Sequence, residues 1–246
     1  MSSTKSPSLG HIGCAPNFDK IIYLIRHGES VSNVNDVFQG SDDQLTARGR
    51  AQAKALGKKL KKFYPIECII TSTHARAHET AEILGSALGI TPRGTQLLIE
   101  QKRPSSIVGC RTTDAAAAAI YREGQEKFHD PDFVYGDGET FSDLKSRALL
   151  ALRHILAHDE EHIAVVTHGV FATVLAAASQ HGEALTSHDL DAYQLRLTNT
   201  GLSVLMYKTR HTFSGVDRGW IIHRWNDIGH LEGRTLHHDK YVLAKK

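Results

Sequence analysis

Two histidines and two arginines stand where short apolar runs of the sequence end. Each follows such a run directly or within a few residues: Arg26, His27, Arg76 and His168. The forked N–H donors of arginine suit the non-bridging oxygens of a phosphoryl group. A neutral imidazole can attack phosphorus as a nucleophile, and a second histidine can stabilise charge on an equatorial oxygen. These residue types therefore indicate phosphoryl transfer, and this chemistry requires no metal ion.

The runs before these residues are apolar and partly β-branched, which is typical of strands buried on both faces. They cover residues 21–25, 66–71 and 163–167. If the strands are parallel neighbours about 5 Å apart, their carboxyl ends meet at one edge of the sheet, where open α/β sheets have their ligand crevice. Gly28 is expected to let the chain turn sharply there and approach a ligand closely. The sequence thus predicts one crevice that all four side chains face.

Segments with the period of an amphipathic helix alternate with these strands. The predicted helices cover about 47–63, the stretch from after Ser72 to about 88, 114–128, 140–157 and 170–178, with Thr46 capping the first and Gly89 stopping the second. Residues 31–44 are rich in Asn, Asp and Gly and predict a loop. Residues 193–225 predict two more strands joined by a polar turn. Alternating strands and helices predict an α/β domain with a largely parallel sheet.

Composition excludes several other classes of protein. The formal net charge of +2 on 246 residues is too small to indicate a nucleic-acid or anionic-membrane partner. No apolar run is long enough to cross a bilayer, and the start has no apolar signal-peptide core. Cys14, Cys68 and Cys110 are too widely spaced for a disulfide framework or a zinc site, and Cys68 is expected to be a buried thiol. We therefore expect a cytoplasmic protein with a flexible tail at 1–19.

Four short motifs follow one another in the chain. They are Arg26–Ser30, Leu45-Thr46 with Gly49, Ser72–Arg76 with Thr80-Ala81, and Thr167–Gly169. Together they resemble the histidine phosphatase superfamily, in the branch that includes the phosphoglycerate mutases. The resemblance runs from Lys20 to the late stretches 225–227 and 230–231. It implies a single domain over 20–246, built as a three-layer α/β/α sandwich around a central, mostly parallel mixed sheet.

The resemblance also implies roles for individual residues around a phosphoryl group. His27 is implied to form a covalent phosphohistidine, with Arg26, Arg76 and His168 contacting the phosphate. Asn33 matches the loop asparagine that lies near the phosphate in this family, and Gly169 belongs to the last motif of the phosphate site. No metal and no cofactor is implied.

Glu100 stands where the family carries its general acid, which protonates the leaving oxygen and later activates water. The short apolar run 97–99 directly precedes it in the sequence. The residues after it, Gln101–Pro104, differ from the Glu-Arg-His-Tyr-Gly stretch of the cofactor-dependent mutases, and this difference favours a phosphatase.

The sequence therefore predicts a metal-independent phosphomonoesterase that acts through phosphohistidine on a small anionic phosphate ester. A cofactor-dependent phosphoglycerate mutase is the alternative, because it uses the same intermediate but returns the phosphoryl group to a substrate. A catalytically silent phosphoryl-binding domain is disfavoured because all four reactive residues are present, and a metallophosphatase is the weakest alternative. The expected partner is a small phosphorylated metabolite, and the oligomeric state is left open.

Other polar residues have less specific interpretations. His74 and His78 are four apart beside Glu79, a spacing that can hold a metal, but an HExxH motif is absent and both are expected to be solvated or at the rim. Three cations could form a cationic rim for anionic substrates or a solvated loop: Lys102, Arg103 and Arg111. His237 and His238 are expected to have no specific role.

Overall fold

A six-stranded mixed sheet forms the centre of the protein. The computed structural model describes residues 19–130, 133–193, 197–212 and 215–232. The strands are β1 (Lys20–Arg26), β2 (Cys68–Ser72), β3 (Arg93–Thr95), β4 (His162–Thr167), β5 (Leu202–Thr212) and β6 (Gly215–Asp227). Their order across the sheet is β3-β2-β4-β1-β5-β6. The first four strands are parallel to one another, whereas β5 is antiparallel to both of its neighbours, β1 and β6.

The helices connect the strands and cover both faces of the sheet. They are α1 (Val31–Asn35), α2 (Ala47–Phe63), α3 (Ala75–Leu88), α4 (Ala115–Glu126), α5 (Phe141–Leu156) and α6 (Gly169–His181). Thr46 caps α2 through the N–H of Gly49, and Gly89 ends α3 with a left-handed φ of 78°, both as predicted. No helix among the described residues is long and apolar enough to cross a membrane.

Alternate side chains of β1 enter two separate hydrophobic cores. Ile22 and Leu24 pack with apolar residues of α5 and α6. Ile21, Tyr23 and Ile25 pack with apolar residues of α2 and α3 on the opposite face. A strand with helices on both faces must be apolar at every position, which explains the unbroken run at 21–25. The predicted three-layer α/β/α sandwich with a mostly parallel mixed sheet is confirmed.

Three local expectations differ from the structure. Residues 31–35, predicted as part of a loop, form α1, because a capping box between Ser30 and Asn33 initiates a short helix. The edge strand β3 was not predicted, because it has only three residues and too little apolar content to give a periodic pattern. Asp19, assigned to the tail, is hydrogen bonded through its backbone N–H to Tyr207 O at 3.0 Å. The rest of that tail lies outside the described residues.

Candidate active site

Adjacent carboxyl ends of β1 and β4 bring the two motif histidines together. Arg26 pairs with Thr167 in the parallel register of these strands. His27 and His168 are the next residues on each chain, and their ring centroids lie 5.2 Å apart. The backbone N–H of His27 still donates to Thr167 O at 2.9 Å. The two histidines therefore meet at the edge of the sheet where the crevice was predicted.

The hydrogen bonds of His27 define which ring nitrogen is available. Nδ1 lies 2.7 Å from Gly28 O, and a carbonyl can only accept, so Nδ1 carries the proton. Nε2 is consequently unprotonated, and Arg76 Nε donates to it at 3.3 Å. Burial lowers the pKa of His27 well below its usual value, and the charges of Arg76 and Arg26 lower it further. A neutral imidazole whose Nε2 is unprotonated at pH 7 is the state of a nucleophile.

Arg76 is the second residue of α3 and is almost fully buried. One guanidinium nitrogen donates to Gly40 O at 2.7 Å, and Nε faces His27. Burial lowers its pKa to about 10, with Glu100 and Asp43 acting in the opposite direction. The group remains a cation at neutral pH, and it is held beside His27 with capacity for an anion.

His168 is also fully buried, and its two nitrogens have different surroundings. Nε2 lies 2.8 Å from Ser72 Oγ. Nδ1 is buried and has no hydrogen-bond partner among the described residues. Burial lowers its pKa well below 6.5, and Arg76 lowers it further. A buried ring nitrogen without a partner is the expected condition of a group that faces a ligand.

His74 lies beside the histidine pair. It was expected at the rim or in solvent, and it is half-buried at the rim, with its ring 5.1 Å from that of His168 and its Nδ1 buried without a partner in the described part of the chain. Burial and the charge of Arg76 lower its pKa to about 4. The contact with His168 arises because β2 and β4 are neighbours, and this brings the loop after β2 over His168. His78 is half-exposed beside Glu82 and matches its prediction.

Gly28 is required for packing rather than for the turn that was expected of it. A Cβ on Gly28 would lie 2.6 Å from Gly49 O, and one on Gly49 would lie 2.0 Å from Glu29 O. Gly28 does not have a positive φ. The backbones of the first two motifs are thus in direct contact. The N–H of Gly28 also donates to Thr80 Oγ1 of the third motif.

Three further residues were predicted to bind phosphate beside His27 and His168: Arg26, Asn33 and Gly169. Asn33 Oδ1 accepts from Ser30 N at 3.1 Å, which leaves its amide Nδ2 as the donor for a ligand. Arg26 donates to Leu197 O, and a Cβ on Gly169 would lie 3.5 Å from Arg26 Nε. That distance is an ordinary van der Waals contact, so Gly169 lies beside the Arg26 side chain at the start of α6 but is not required for the two to approach.

The carboxylate of Glu100 accepts from backbone N–H groups in the first turn of α6, the helix that begins directly after His168. Its Oε1 accepts from Phe171 N at 3.0 Å and from Gln101 N at 2.9 Å, whereas Oε2 has a longer contact of 3.3 Å with Val170 N. The charge of Glu100 acts on both Arg76 and His74 and partly offsets the lowering of their pKa values by burial. Oε2, with its single long contact, is the oxygen with more capacity for a further hydrogen bond.

Arg147 of α5 holds the segment that carries Glu100, a role the sequence gave no reason to expect. Its guanidinium donates to Leu97 O, Ile99 O and Glu100 O, at 3.2, 2.7 and 3.3 Å. It also forms a two-bond ion pair with Glu139 and lies 4.0 Å from the ring centre of Phe171. Glu139 in turn is bonded to the backbone of Lys102.

We expect Arg147→Gln to destabilise the protein by about 3 kcal/mol, because a nearly buried ion pair loses one partner. Only 12% of the Arg147 side chain and 15% of Glu139 are exposed. Urea unfolding measures the loss. Arg153→Gln on the same helix is the control, since its pair with Glu183 is exposed (68% and 75%) and is expected to matter by less than about 0.5 kcal/mol. Equal losses in the two variants would contradict this assignment.

The lowered pKa values of His27, His168 and His74 predict a specific dependence of stability on pH. In the unfolded chain each imidazole takes a proton near pH 6.5, but in the folded protein each does so only at lower pH. The unfolded state therefore binds more protons than the folded state below pH 6.5. As the pH is lowered through this range, each histidine decreases the free energy of unfolding by up to about 1.4 kcal/mol per pH unit. Urea unfolding between pH 7.5 and 5 measures the slope. His168→Asn is expected to reduce it, and an unchanged slope would contradict the prediction.

The chain behind His27 supports the site and was not singled out from the sequence. Asn199 Nδ2 and Thr200 N both donate to His27 O, at 3.0 and 3.2 Å. His230 Nε2 lies 2.9 Å from Thr200 Oγ1. The polar Asn-Thr-Gly stretch directly before β5 is the one sequence signal that could have indicated this support. His237 and His238 lie outside the described residues.

Comparisons with known proteins agree with this geometry. Residues 22–228 match the sequence profile of the histidine phosphatase superfamily (branch 1). The chain is 32% identical over 224 residues to the Probable phosphoglycerate mutase GpmB of Proteus mirabilis, which covers 87% of this chain and 96% of that protein. It is 29% identical over 216 residues to Phosphoglycerate mutase-like protein 4 of Arabidopsis thaliana, which covers 86% of each.

Solved structures give the same result. Bacillus stearothermophilus YhfR is 28% identical, with a TM-score of 0.69 over 87% of this chain and 100% of that one. The mycobacterial glucosyl-3-phosphoglycerate phosphatase Rv2419c shares the fold, with a TM-score of 0.69 at 23% identity over 84% of this chain and 98% of that one. The family match spans most of the chain and all four motifs, and we conclude that this protein belongs to the histidine phosphatase superfamily, branch 1.

Proposed function

We propose that the protein is a metal-independent phosphomonoesterase that acts through a phosphohistidine at His27. The observation that carries the proposal is the state of this side chain: it is neutral, it is protonated on Nδ1, and its Nε2 faces Arg76. An imidazole in this state can attack phosphorus without a separate base. We further propose a small phosphorylated metabolite as substrate. A cytoplasmic location remains a prediction.

In the first step, Nε2 of His27 attacks phosphorus and the bond to the leaving oxygen breaks. Arg26, Arg76 and the amide of Asn33 hold the non-bridging oxygens. With the Ser72 hydroxyl donating to His168 Nε2, His168 Nδ1 carries a proton and donates it as a hydrogen bond to an equatorial oxygen. Glu100 transfers its proton to the leaving oxygen. The His27 proton stays on Nδ1, hydrogen bonded to Gly28 O, throughout.

In the second step, Glu100 takes a proton from water, the water oxygen bonds to phosphorus, and the bond to Nε2 breaks. Inorganic phosphate leaves and both His27 and Glu100 return to their starting states. A mutase would replace this water with a hydroxyl of the substrate. The residues after Glu100 differ from the stretch found in cofactor-dependent mutases, and this supports water as the acceptor.

The experiment follows both outcomes in one reaction. The protein is incubated with 3-phosphoglycerate, with and without a bisphosphate primer, and inorganic phosphate and 2-phosphoglycerate are measured. We expect phosphate release from 3-phosphoglycerate or from an aryl phosphate, unchanged by a chelator and independent of primer. Primer-dependent isomerisation would replace the phosphatase proposal with the mutase, and loss of activity with the chelator would contradict the metal-independent mechanism.

A further inference from the structure

Three metal-ligating side chains from two separate segments meet on the surface just after the C-terminal end of α4. His129 follows that helix, whereas His188 and Asp191 belong to a 3₁₀ helix, His188–Tyr193, that follows α6. One ligand atom from each residue lies within 4.8 Å of the ligand atoms of the other two. The sequence gave no reason to group them, because β4, α5 and α6 separate His129 from His188.

The 3₁₀ helix places two of the three ligands on one face. Side chains three residues apart lie above one another in a 3₁₀ helix, so His188 and Asp191 point the same way. A second aspartate, Asp189, is used to fix the start of this helix. Its carboxylate accepts from Thr186 N at 2.7 Å and from Thr186 Oγ1 at 2.6 Å. Asp191 therefore remains the carboxylate available on this helix.

The contacts between the two segments have the spacing of ligands around a small cation. The rings of His129 and His188 are stacked, with centroids 4.2 Å apart and planes 7° apart. His129 Nε2 lies 3.8 Å from Asp191 Oδ2, which is too far for a hydrogen bond. Neighbouring ligand atoms of a tetrahedral zinc site, with bonds of about 2.0–2.2 Å, are about 3.3–3.5 Å apart. Small rotations of the exposed His188 and Asp191 side chains are enough to close these distances around one ion.

The polar groups of this cluster have few other partners. His129 Nδ1 is buried without a hydrogen-bond partner among the described residues. Within the same part of the chain, the one ion pair of Asp191 is the long contact with His129. The nearest cation in sequence, Lys127, is paired with Glu123 at 2.7 Å. Two imidazoles and a carboxylate thus stand together without a lysine or arginine that neutralises them, and this donor set occurs in known zinc sites.

A second group of possible ligands, Cys68, His158 and Glu160, lies at the opposite ends of β2 and β4. A guanidinium already occupies this group. Arg93 lies 3.4 Å from His158 Nδ1 and 3.4 Å from Glu160 Oε1. A cation between two ligands repels a metal ion, so this group serves as the comparison site in the experiment below.

We propose that His129, His188 and Asp191 bind one Zn²⁺ ion, with water as the fourth ligand. Imidazole suits Zn²⁺, whereas Mg²⁺ and Ca²⁺ prefer ligands that are all oxygen. The ion joins the segment that carries α4, which packs on the small core around Phe38 and Ile107, to the 3₁₀ helix beside the main core. None of the three ligands takes part in the proposed reaction, so the inference is independent of the proposed function.

Calorimetric titration of the metal-free whole chain with Zn²⁺ tests the proposal. We expect one Zn²⁺ per chain, with Mg²⁺ unable to compete. His188→Gln and Asp191→Asn should each weaken binding by more than the 10- to 100-fold, roughly, that is lost with an outer partner of a metal ligand. Both side chains are exposed, so the variants should fold normally. His181→Gln is the matched control, because it removes a nearby exposed imidazole that contacts Tyr193, and it should leave the affinity unchanged.

Co²⁺ in place of Zn²⁺ identifies the residues that hold the ion. Imidazole and carboxylate ligands give Co²⁺ only weak visible bands, whereas a thiolate ligand adds strong near-ultraviolet absorption. Thiolate absorption that is lost in Cys68→Ser would assign the ion to the comparison site and overturn the inference. Zn²⁺ binding that is unchanged in His188→Gln, or that disappears in His27→Ala, would also overturn it. The same holds if Zn²⁺ does not bind or if Mg²⁺ competes equally.

Thermal unfolding gives a second measurement that does not depend on activity. An ion that binds only the folded state stabilises it, so Zn²⁺ should raise the unfolding midpoint of the wild-type protein but not that of His188→Gln. A chelator should reverse the rise and leave phosphate release unchanged. An equal rise in wild type and His188→Gln would contradict the proposed site.

Discussion

Replacement of His27 by alanine is expected to abolish phosphate release from an aryl phosphate, by about 10⁴-fold or more. The variant keeps the cations that bind phosphate but has no atom that can take up the phosphoryl group. Water in the place of the ring would have to attack phosphorus beside Arg76 without a base at that position. Binding of phosphate is therefore expected to survive while turnover is lost.

The assay follows release of the aryl alcohol and of phosphate at pH 7, with binding of inorganic phosphate measured separately. His78→Ala is the matched control, since its half-exposed imidazole on the same helix as Arg76 should not affect the rate. In the wild-type protein, rapid quenching under alkaline conditions should trap label on His27. Full activity of His27→Ala would eliminate the phosphohistidine mechanism.

Replacement of Glu100 by glutamine is expected to slow hydrolysis of alkyl phosphates by about 10²- to 10⁴-fold. An alkoxide is a poor leaving group unless it is protonated as the bond breaks, and the amide has no proton to give. An aryl phosphate with an acidic alcohol needs little protonation, so its first step should be much less affected. The ratio of the two rates is the diagnostic quantity.

The measurement is kcat/KM for a series of phosphate esters whose alcohols differ in pKa, in wild type and in Glu100→Gln. The slope of log kcat/KM against the pKa of the alcohol should become steeper in the variant. The effect of Gln101→Glu, which places a carboxylate at the adjacent position, serves as the control for a general change in charge. A parallel decrease for all esters would remove Glu100 from the acid role.

The core of the fold was predictable because its elements have strong internal patterns. The apolar run at 21–25 is unbroken, as a strand buried on both faces must be, and the stripe at 47–63 matches the helical period, so the burial of both elements follows from the sequence. The edge strand β3 and the short helix α1 were missed because each is stabilised by pairing or capping partners rather than by its own sequence period. Three residues such as Arg93–Thr95 become a strand only beside β2.

The site was predictable as far as it lies at the ends of strands. His27 and His168 stand next to paired positions, so their proximity follows from the register of β1 and β4. His74 and Arg147 could not be placed in this way, since their contacts depend on how a loop and a helix cross the sheet. The packing role of Gly28 could not be predicted either, because it depends on the backbone of α2 lying against this residue in the folded protein.

The position of β4 between β1 and β2 has a consequence for synthesis of the protein. A growing chain that has reached the end of α5 already contains Arg26, His27 and Arg76. It lacks the strand that separates β1 from β2 and sets the distance between their ends. Since contacts between segments far apart in sequence form late and slowly, we expect no nascent fragment ending before β4 to release phosphate. Activity should emerge only once β4 and the His168 that follows it have left the ribosome.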